Sequence, residues 1–104
     1  MILSTYEEIS KFPKIEKDIS ILIKKEDYYL NVEKFIKNLK IPFLVDFYLI
    51  DVYEGQSIGE NYRSLTLRLV FNDKSRTLKD EEINEILMDI IQKLENNGYK
   101  VRRI

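Results

Sequence analysis

The chain has 104 residues, which is the size of one ordinary domain and too short for two independent hydrophobic cores. Its 17 Lys and Arg residues and 18 Asp and Glu residues leave a formal net charge of −1, which excludes the general basic excess of proteins that bind nucleic acid indiscriminately. With no cysteine and no histidine, it lacks the residues for a disulfide framework, the usual zinc and haem sites, a thiol nucleophile or an imidazole base.

Other signals for catalysis and targeting are weak. Gly55 and Gly59 flank a predicted hairpin and do not match the spacing of a phosphate-binding loop, and Glu81 and Glu82 lie on an exposed helical turn without an apolar pocket. The longest apolar runs are far shorter than the ~18–20 residues that span a bilayer, and the start lacks a basic-then-apolar signal pattern. We therefore expect a cytoplasmic protein with no catalytic site and no cofactor in this domain.

The first part of the chain predicts a lead-in, a strand and a helix. Residues 1–14 form a polar lead-in that closes at Phe12-Pro13, because the residue before proline is pushed out of helical geometry. Residues 15–24 alternate isoleucine with polar residues, which predicts a strand. Asn31 is the predicted N-cap of a helix that runs to about Lys40. The apolar stripe of this helix consists of Val32, Phe35, Ile36 and Leu39.

A second strand is predicted over residues 44–53, where two alternating sets of side chains face opposite sides of the sheet. We assign one set to the buried side: Tyr48, Ile50 and Val52. The other set is then exposed: Phe47, Leu49, Asp51 and Tyr53. A turn through Gly55 and Gly59 follows the strand.

The second part of the chain predicts a strand, a helix and a final strand. Strict apolar alternation over residues 64–71 predicts a third strand that ends at Asn72-Asp73. A second helix follows, with the acidic residues 80–82 in its first turn, where they favour the helix dipole, and with Gly98 as its left-handed stop. Residues 99–104 alternate again and predict a short fourth strand. The predicted element order is therefore β-α-β-β-α-β.

Two right-handed crossovers place both helices on one face of a single antiparallel sheet. The prediction is an α+β, ferredoxin-like two-layer sandwich that forms one domain over residues 1–104, with its core in residues 15–104. The opposite sheet face carries no helix of this chain, and we call it the open face. The predicted open-face residues are Asp18, Ser20, Phe47, Leu49, Asp51, Tyr53, Ser64, Thr66, Arg68 and Arg102.

The open face combines an acid, aromatic rings, hydroxyls and arginines, which together can stack a nucleobase and hydrogen-bond its edge. Asp51 and Tyr53 are two residues apart on one strand, so their side chains point the same way, ~6–7 Å apart. Tyr53 can then stack on a ring while Asp51, which only accepts hydrogen bonds, favours guanine. The pattern leaves alternatives open: a capped strand end with a packing tyrosine, a face covered by a neighbouring domain, or a solvated sheet.

Charge is unevenly distributed along the chain. Residues 80–97 carry six acids and one base, whereas residues 98–104 carry three bases and no acid. The basic terminal strand, with Lys100, Arg102 and Arg103, adjoins the predicted open face, while the acidic helix lies behind the sheet. Arg76, just before the second helix, is placed to bind either a phosphate or a loop carbonyl, and the sequence does not decide between them.

Several groups of residues, taken in order, resemble one family. They are Phe12-Pro13, Lys17-Asp18, residues 49–53 with Gly55, Ser64-Leu65, residues 76–78, residues 80–82 and Asn84. In this order and spacing they are similar to the ferredoxin-fold anticodon-binding domain that ends the beta subunit of bacterial phenylalanine–tRNA ligase. The resemblance extends from about Tyr6 to Arg102, and it implies a C-terminal domain excised from a longer beta subunit.

This resemblance implies that the open face binds the anticodon stem-loop of phenylalanine tRNA. Asp51 and Tyr53 match the family residues that meet an anticodon base, and Arg102 and Ser64 match positions beside them. Two further cations, Arg68 and Lys100, are expected on backbone phosphates. The implied partners are the tRNA, the rest of the beta subunit and an alpha subunit, in a heterotetramer of two alpha and two beta subunits. Catalysis, with ATP and magnesium, then belongs to the alpha subunit.

Three positions depart from the family pattern. Lys17 stands where the family has arginine, so a bidentate contact is lost there. Ile50 stands where the family has phenylalanine, which changes core volume alone. Lys79 replaces a threonine and removes a Thr-x-x-Glu capping box, so we expect Asp80 or Thr77 to cap the second helix.

Two other functions are compatible with the predicted fold. The first is a protein-interaction module whose open face docks another domain or subunit. The second is a small-molecule-sensing regulatory domain of similar topology, which is disfavoured because no segment forms an amino-acid-binding loop.

Overall fold

The computed structural model describes residues 12–103, so most of the predicted lead-in and the end of the predicted last strand lie outside the described residues. Its elements are β1 (Ile15–Lys24), α1 (Tyr29–Asn38), β2 (Leu44–Tyr53), a short 3₁₀ turn (Gln56–Ile58), β3 (Tyr62–Phe71), α2 (Asp80–Asn96) and β4 (Lys100–Arg103). Apart from the short turn, this order is the predicted β-α-β-β-α-β.

The four strands form one antiparallel sheet in the order β2-β3-β1-β4. The first and third strands are central because each of the two crossovers carries the chain past a neighbouring strand position. This order, with two helices in a second layer, confirms the predicted ferredoxin-like fold. No helix within residues 12–103 combines the length and apolar character needed to cross a membrane.

The core lies between the sheet and the helices. Alternation along β1 and β3 directs side chains such as Ile19 and Leu67 into this layer, where neither is exposed to solvent. They pack in one cluster with Val32 of α1 and with Leu87 and Leu94 of α2. The helix stripes and the strand alternation therefore bury one face of the sheet, as the sequence predicts.

The first helix begins earlier than predicted. It starts at Tyr29 after Tyr28 as N-cap, so Asn31 lies inside its first turn. The Asn31 amide donates to Asp27 Oδ1 at 2.6 Å, and the same oxygen accepts the backbone N–H of Tyr28 at 2.7 Å. The prediction of Asn31 as the cap was wrong, because the helix already begins at Tyr29 and Tyr28 is the N-cap, with no capping hydrogen bond from a side chain within residues 12–103.

The second helix is capped by neither residue that the sequence suggested. Glu82 Oε2 reaches back and accepts the backbone N–H of Lys79, the N-cap, at 2.7 Å. The Lys79 ammonium has no lone pair with which to complete a reciprocal pair. Asp80 is engaged elsewhere, since its carboxylate accepts hydrogen bonds from Lys17 at 2.7 Å and from Asn84 at 3.1 Å. The expectation of a cap from Asp80 or Thr77 was therefore wrong.

The alternation of buried and exposed side chains along β2 is interrupted at two places. Its register against β3 shifts between Leu44 and Asp46 and again between Leu49 and Asp51. Each shift inserts one extra residue and so reverses which side chains face the helices. The set predicted as exposed is thus split, since Phe47 and Leu49 pack against the core whereas Asp51 and Tyr53 are exposed. The set predicted as buried is exposed: Tyr48, Ile50 and Val52.

Candidate nucleic-acid interface

The open face can be described as three rows of side chains that run across the strands. Residues directly opposite one another in an antiparallel sheet project to the same face. The upper row is Tyr53, Ser64, Leu22 and Lys100; the middle row is Asp51, Thr66, Ser20 and Arg102; the lower row is Tyr48, Arg68 and Asp18. Each predicted site residue therefore lies on this face, and the sheet brings all six into neighbouring rows.

The middle row has a carboxylate at one edge and a guanidinium at the other. Neighbouring strands are ~4.8 Å apart, so Asp51 and Arg102 are separated by ~14 Å of sheet. Between them, Ser20 Oγ and Thr66 Oγ1 share a hydrogen bond of 3.2 Å. Within residues 12–103 neither Asp51 nor Arg102 forms a side-chain hydrogen bond or ion pair, which leaves both charges available to a ligand.

The upper row carries the aromatic ring and borders a groove. Tyr53 is 47% exposed, and its hydroxyl lies 3.4 Å from Ser57 Oγ in the hairpin turn. The groove has a volume of about 540 Å³, within the range of ~300–1,000 Å³ that small ligands occupy. It is lined by Ser20, Leu22, Ser57, Ile58, Ser64, Glu95, Lys100, Val101 and Arg102.

The hairpin wall of this groove was missed by the sequence interpretation. Ser57 and Ile58 belong to the short turn between β2 and β3, which the sequence shows as an irregular polar loop. Gly55 O accepts the backbone N–H of Ile58 at 3.3 Å, which folds the turn back. A loop has no periodicity that indicates which way it folds, so no sequence signal identified these two residues.

The lower row is held by an ion pair. Arg68 Nε and Nη2 donate to Asp18 Oδ1 and Oδ2 at 2.9 and 3.0 Å, and Glu16 lies 3.9 Å from the same Nε. The hydrogen bonds that Arg68 donates to Asp18 raise the pKa of the Arg68 guanidinium above its ordinary value, and Tyr48 adds to the effect. Arg68 thus faces the open side as predicted, but its charge is already compensated within the sheet.

Arg76 is paired at the other side of the molecule. Its guanidinium donates to both carboxylate oxygens of Glu82 at 2.8 Å and lies 5.4 Å from the ring centre of Phe43. This hydrogen bonding is the main cause that lowers the pKa of Glu82 to about 2. The sequence offered a phosphate or a loop carbonyl as the partner of Arg76, and the structure instead gives it a carboxylate.

The basic residues of β4 project to both sides of the sheet. Lys100 and Arg102 project to the open face, opposite Leu22 and Ser20. Arg103 instead donates to Asn84 Oδ1 of α2 at 3.3 Å. Two of the three cations of the last strand are therefore on the open face, where Glu95 of α2 lines the same groove as Lys100 and Arg102.

The fold and this surface define a ferredoxin-like domain whose uncovered sheet has the chemistry to stack and hydrogen-bond a nucleobase. The family model described as the ferredoxin-fold anticodon binding domain matches residues 10–102, and the chain belongs to this family. This family is a binding domain, not a catalytic one, as the sequence interpretation expected.

Curated relatives agree with the family assignment. The chain is 39% identical over 92 residues to the phenylalanine–tRNA ligase beta subunit of Legionella pneumophila, covering 88% of the chain. The beta subunits of Carboxydothermus hydrogenoformans and Campylobacter jejuni are 34% and 37% identical over 98 and 93 residues, covering 93% and 89% of the chain. In each case the match spans 12% of the length of the relative.

Proposed function

We propose that the open face recognises the anticodon stem-loop of phenylalanine tRNA, as the terminal binding domain of a phenylalanine–tRNA ligase beta subunit. The observation that carries the proposal is the middle row, in which the Asp51 carboxylate and the Arg102 guanidinium, neither of them paired within residues 12–103, flank a hydroxyl pair. Tyr53 stands in the adjoining row with half of its surface exposed. Single-stranded RNA is read through this combination of aromatic stacking and hydrogen bonds to base edges.

Each proposed contact follows from the chemistry of its side chain. The Tyr53 ring stacks on an anticodon base, and the carboxylate of Asp51 accepts hydrogen bonds from the N–H groups of that base, which favours guanine. Arg102 and Lys100 bind backbone phosphates along the opposite wall of the groove, and the Ser64 hydroxyl hydrogen-bonds the same nucleotide. Arg68 takes a smaller share, because Asp18 already compensates its charge.

The wider assembly is also part of the proposal, and the likeness to beta subunits supports it. The domain acts in the cytoplasm within a heterotetramer of two alpha and two beta subunits. Phenylalanine activation with ATP and magnesium takes place on the alpha subunit, and the present domain contributes tRNA recognition without a cofactor of its own. Its small net charge suits a module that adds specificity to a larger enzyme instead of binding RNA indiscriminately.

A docking role for part of this surface has one specific observation in its favour. Along the edge strand β2, Val45, Tyr48, Ile50 and Val52 expose 40–56% of their surface. They form an apolar strip that includes both faces of this edge, since Tyr48 lies opposite Arg68 and Val52 opposite Leu65. Such strips mark contacts with other proteins or domains. This strip lies mainly outside the three rows, so the two roles do not compete for Asp51, Tyr53 or Arg102.

The test compares tRNA binding by variants of the ligase and of the 104-residue chain. Replacing Tyr53→Ala removes stacking worth about 1–3 kcal/mol, which corresponds to a loss of affinity of about 5- to 150-fold for phenylalanine tRNA. Asp51→Asn reduces the preference for the natural anticodon over a transcript with a changed anticodon. Tyr28→Ala is the matched control, because this tyrosine is 71% exposed in the helix layer.

Two results would contradict the proposal. One is unchanged affinity of a folded Tyr53→Ala variant for phenylalanine tRNA. The other is equal affinity of the unmodified protein for the natural and the changed anticodon. Loss of subunit association in these variants, with tRNA binding intact, would favour the docking role instead.

A further inference from the structure

Gly55 lies directly against the ring of Tyr53. A Cβ atom built on Gly55 would be 2.3 Å from the Tyr53 hydroxyl oxygen, 2.7 Å from Cζ and 3.2 Å from Cε2. These distances are shorter than carbon–carbon van der Waals contact, which is ~3.5–4.0 Å. The hydroxyl end and one edge of the ring therefore occupy the space that any larger residue at position 55 would fill.

Backbone geometry does not explain the glycine. The φ angle of Gly55 is 177°, an extended conformation that any residue adopts. Gly59 and Gly98, by contrast, have φ angles of 99° and 97°, where a side chain is disfavoured. The demand for a residue without a side chain at position 55 therefore comes from the tyrosine ring.

The turn that follows adds a second contact on the same ring. Ser57 Oγ lies 3.4 Å from the Tyr53 hydroxyl, and the turn is closed by hydrogen bonds from Ile58 N to Gly55 O and from Gly59 N to Gln56 O. The ring thus rests between the backbone at Gly55 and the side chain of Ser57, while 47% of its surface stays open. An exposed tyrosine at a strand end would otherwise sample several rotamers.

We infer that Gly55 is a positioning residue, because its lack of a side chain leaves the space in which the Tyr53 ring is ordered for base stacking. This inference rests on the proposed function and adds to it a residue that touches no RNA itself. A ring that is already ordered loses less rotamer freedom on binding, so the same stacking contact yields tighter binding. Gly55 acts through the tyrosine alone, which makes the inference separable from a general structural role.

The substitution Gly55→Ala tests this inference with little risk to the fold. The added methyl group meets only the hydroxyl end of the Tyr53 side chain, which can turn aside into solvent, and no strained backbone opposes it. We expect the variant to fold with an unchanged melting temperature and to bind phenylalanine tRNA about 3- to 10-fold more weakly, through the ring freedom that must be lost on binding. Gly98→Ala is the control for binding alone, since nothing in residues 12–103 lies within 4 Å of its Cβ position and its positive φ affects stability instead.

The decisive measurement is a double-mutant cycle with Tyr53→Ala, using phenylalanine tRNA as the probe. If Gly55 acts through the ring, Gly55→Ala costs affinity in the parent and costs nothing further in the Tyr53→Ala background. An equal cost in both backgrounds, no cost in the parent, or failure of Gly55→Ala to fold would overturn the inference. If Tyr53→Ala alone leaves affinity unchanged, stacking on this ring is itself disproved, and the inference about Gly55 falls with it.

Discussion

Arg68 binds both carboxylate oxygens of Asp18 across the two central strands, through contacts of 2.9 and 3.0 Å. A bidentate salt bridge of this kind fixes the plane of the guanidinium and occupies two of its N–H donors. The positive charge of Arg68 is therefore matched before any ligand arrives. Arg102 projects from the same face without such a partner within residues 12–103.

This difference predicts unequal roles for the two arginines in RNA binding. We expect Arg102→Ala to weaken tRNA binding. The slope of log K against the logarithm of salt concentration should become shallower by about one, because one phosphate contact is lost. We expect Arg68→Ala to change that salt dependence much less. Affinity measured at several salt concentrations distinguishes the two, and equal slopes for both variants would contradict the assignment.

A companion variant tests the pairing itself. Asp18→Asn removes the negative charge but keeps the size of the side chain, so Arg68 becomes available to a phosphate. We expect the salt dependence of tRNA binding to become steeper and the domain to become less stable, since the amide is a weaker acceptor. An unchanged slope would show that Arg68 does not reach the RNA even when released.

The bulge in β2 predicts that Leu49→Ala destabilises the domain more than Ile50→Ala does. Unbroken alternation along the sequence would predict the opposite order. Leu49 packs against the core, whereas Ile50 is 40% exposed. Leu49→Ala should therefore lower the free energy of unfolding by about 2 kcal/mol, and Ile50→Ala by less than about 1 kcal/mol. Urea unfolding of the 104-residue chain measures both values. A larger loss for Ile50→Ala would mean that the alternation continues unbroken through this strand.

Sequence patterns were sufficient for most of the fold because most of it obeys a simple period. Residues 15–24 and 64–71 follow a two-residue alternation, and the two helices carry continuous apolar stripes, so the element order, the helix-covered face and the core followed from periodicity and crossover handedness. Glycine at position 98 marked the end of the second helix, and the structure gives it a φ of 97°. These features are local and need no knowledge of the partner strand.

The candidate site was predicted on the correct face for a reason that was partly wrong. Asp51 and Tyr53 were grouped with Leu49 by unbroken alternation, yet Leu49 lies on the helix side and the bulge separates it from them. A bulge is set by pairing with the neighbouring strand, so a single strand's sequence does not reveal it. The same holds for the pairing of Arg68 with Asp18, residues 50 positions apart in the chain.

Acid should destabilise the domain through Glu82. Hydrogen bonds from Arg76 and from the Lys79 backbone lower the pKa of Glu82 from its ordinary 4.5 to about 2. Because this pKa is lower in the folded state, the stabilisation is complete above pH 4.5 and is lost as the pH falls towards 2. We expect Glu82→Gln to be less stable than the parent at neutral pH and to lose less stability between pH 4.5 and 2.

Thermal unfolding at several pH values measures this effect, with Glu85→Gln as the control because Glu85 has no side-chain hydrogen bond within residues 12–103. Some acid dependence should remain in Glu82→Gln, since Lys17 also lowers the pKa of Asp80. Identical pH profiles for Glu82→Gln and the parent protein would refute the role of the Arg76 pair.

Two glycine substitutions should separate stability from binding. Gly98→Ala places a methyl group on a residue with a φ of 97°, which costs about 1–2 kcal/mol and lowers the melting temperature by about 4 °C or more. No atom of the described part of the chain lies within 4 Å of its Cβ position, so the expected cost is conformational and tRNA affinity should persist below the melting transition. Gly55→Ala should show the reverse, with the melting temperature kept and the affinity reduced. Melting curves and tRNA-binding isotherms of both variants measure the two effects. A loss of both melting temperature and affinity in either variant would contradict the prediction and show that the hairpin and the end of the second helix are coupled.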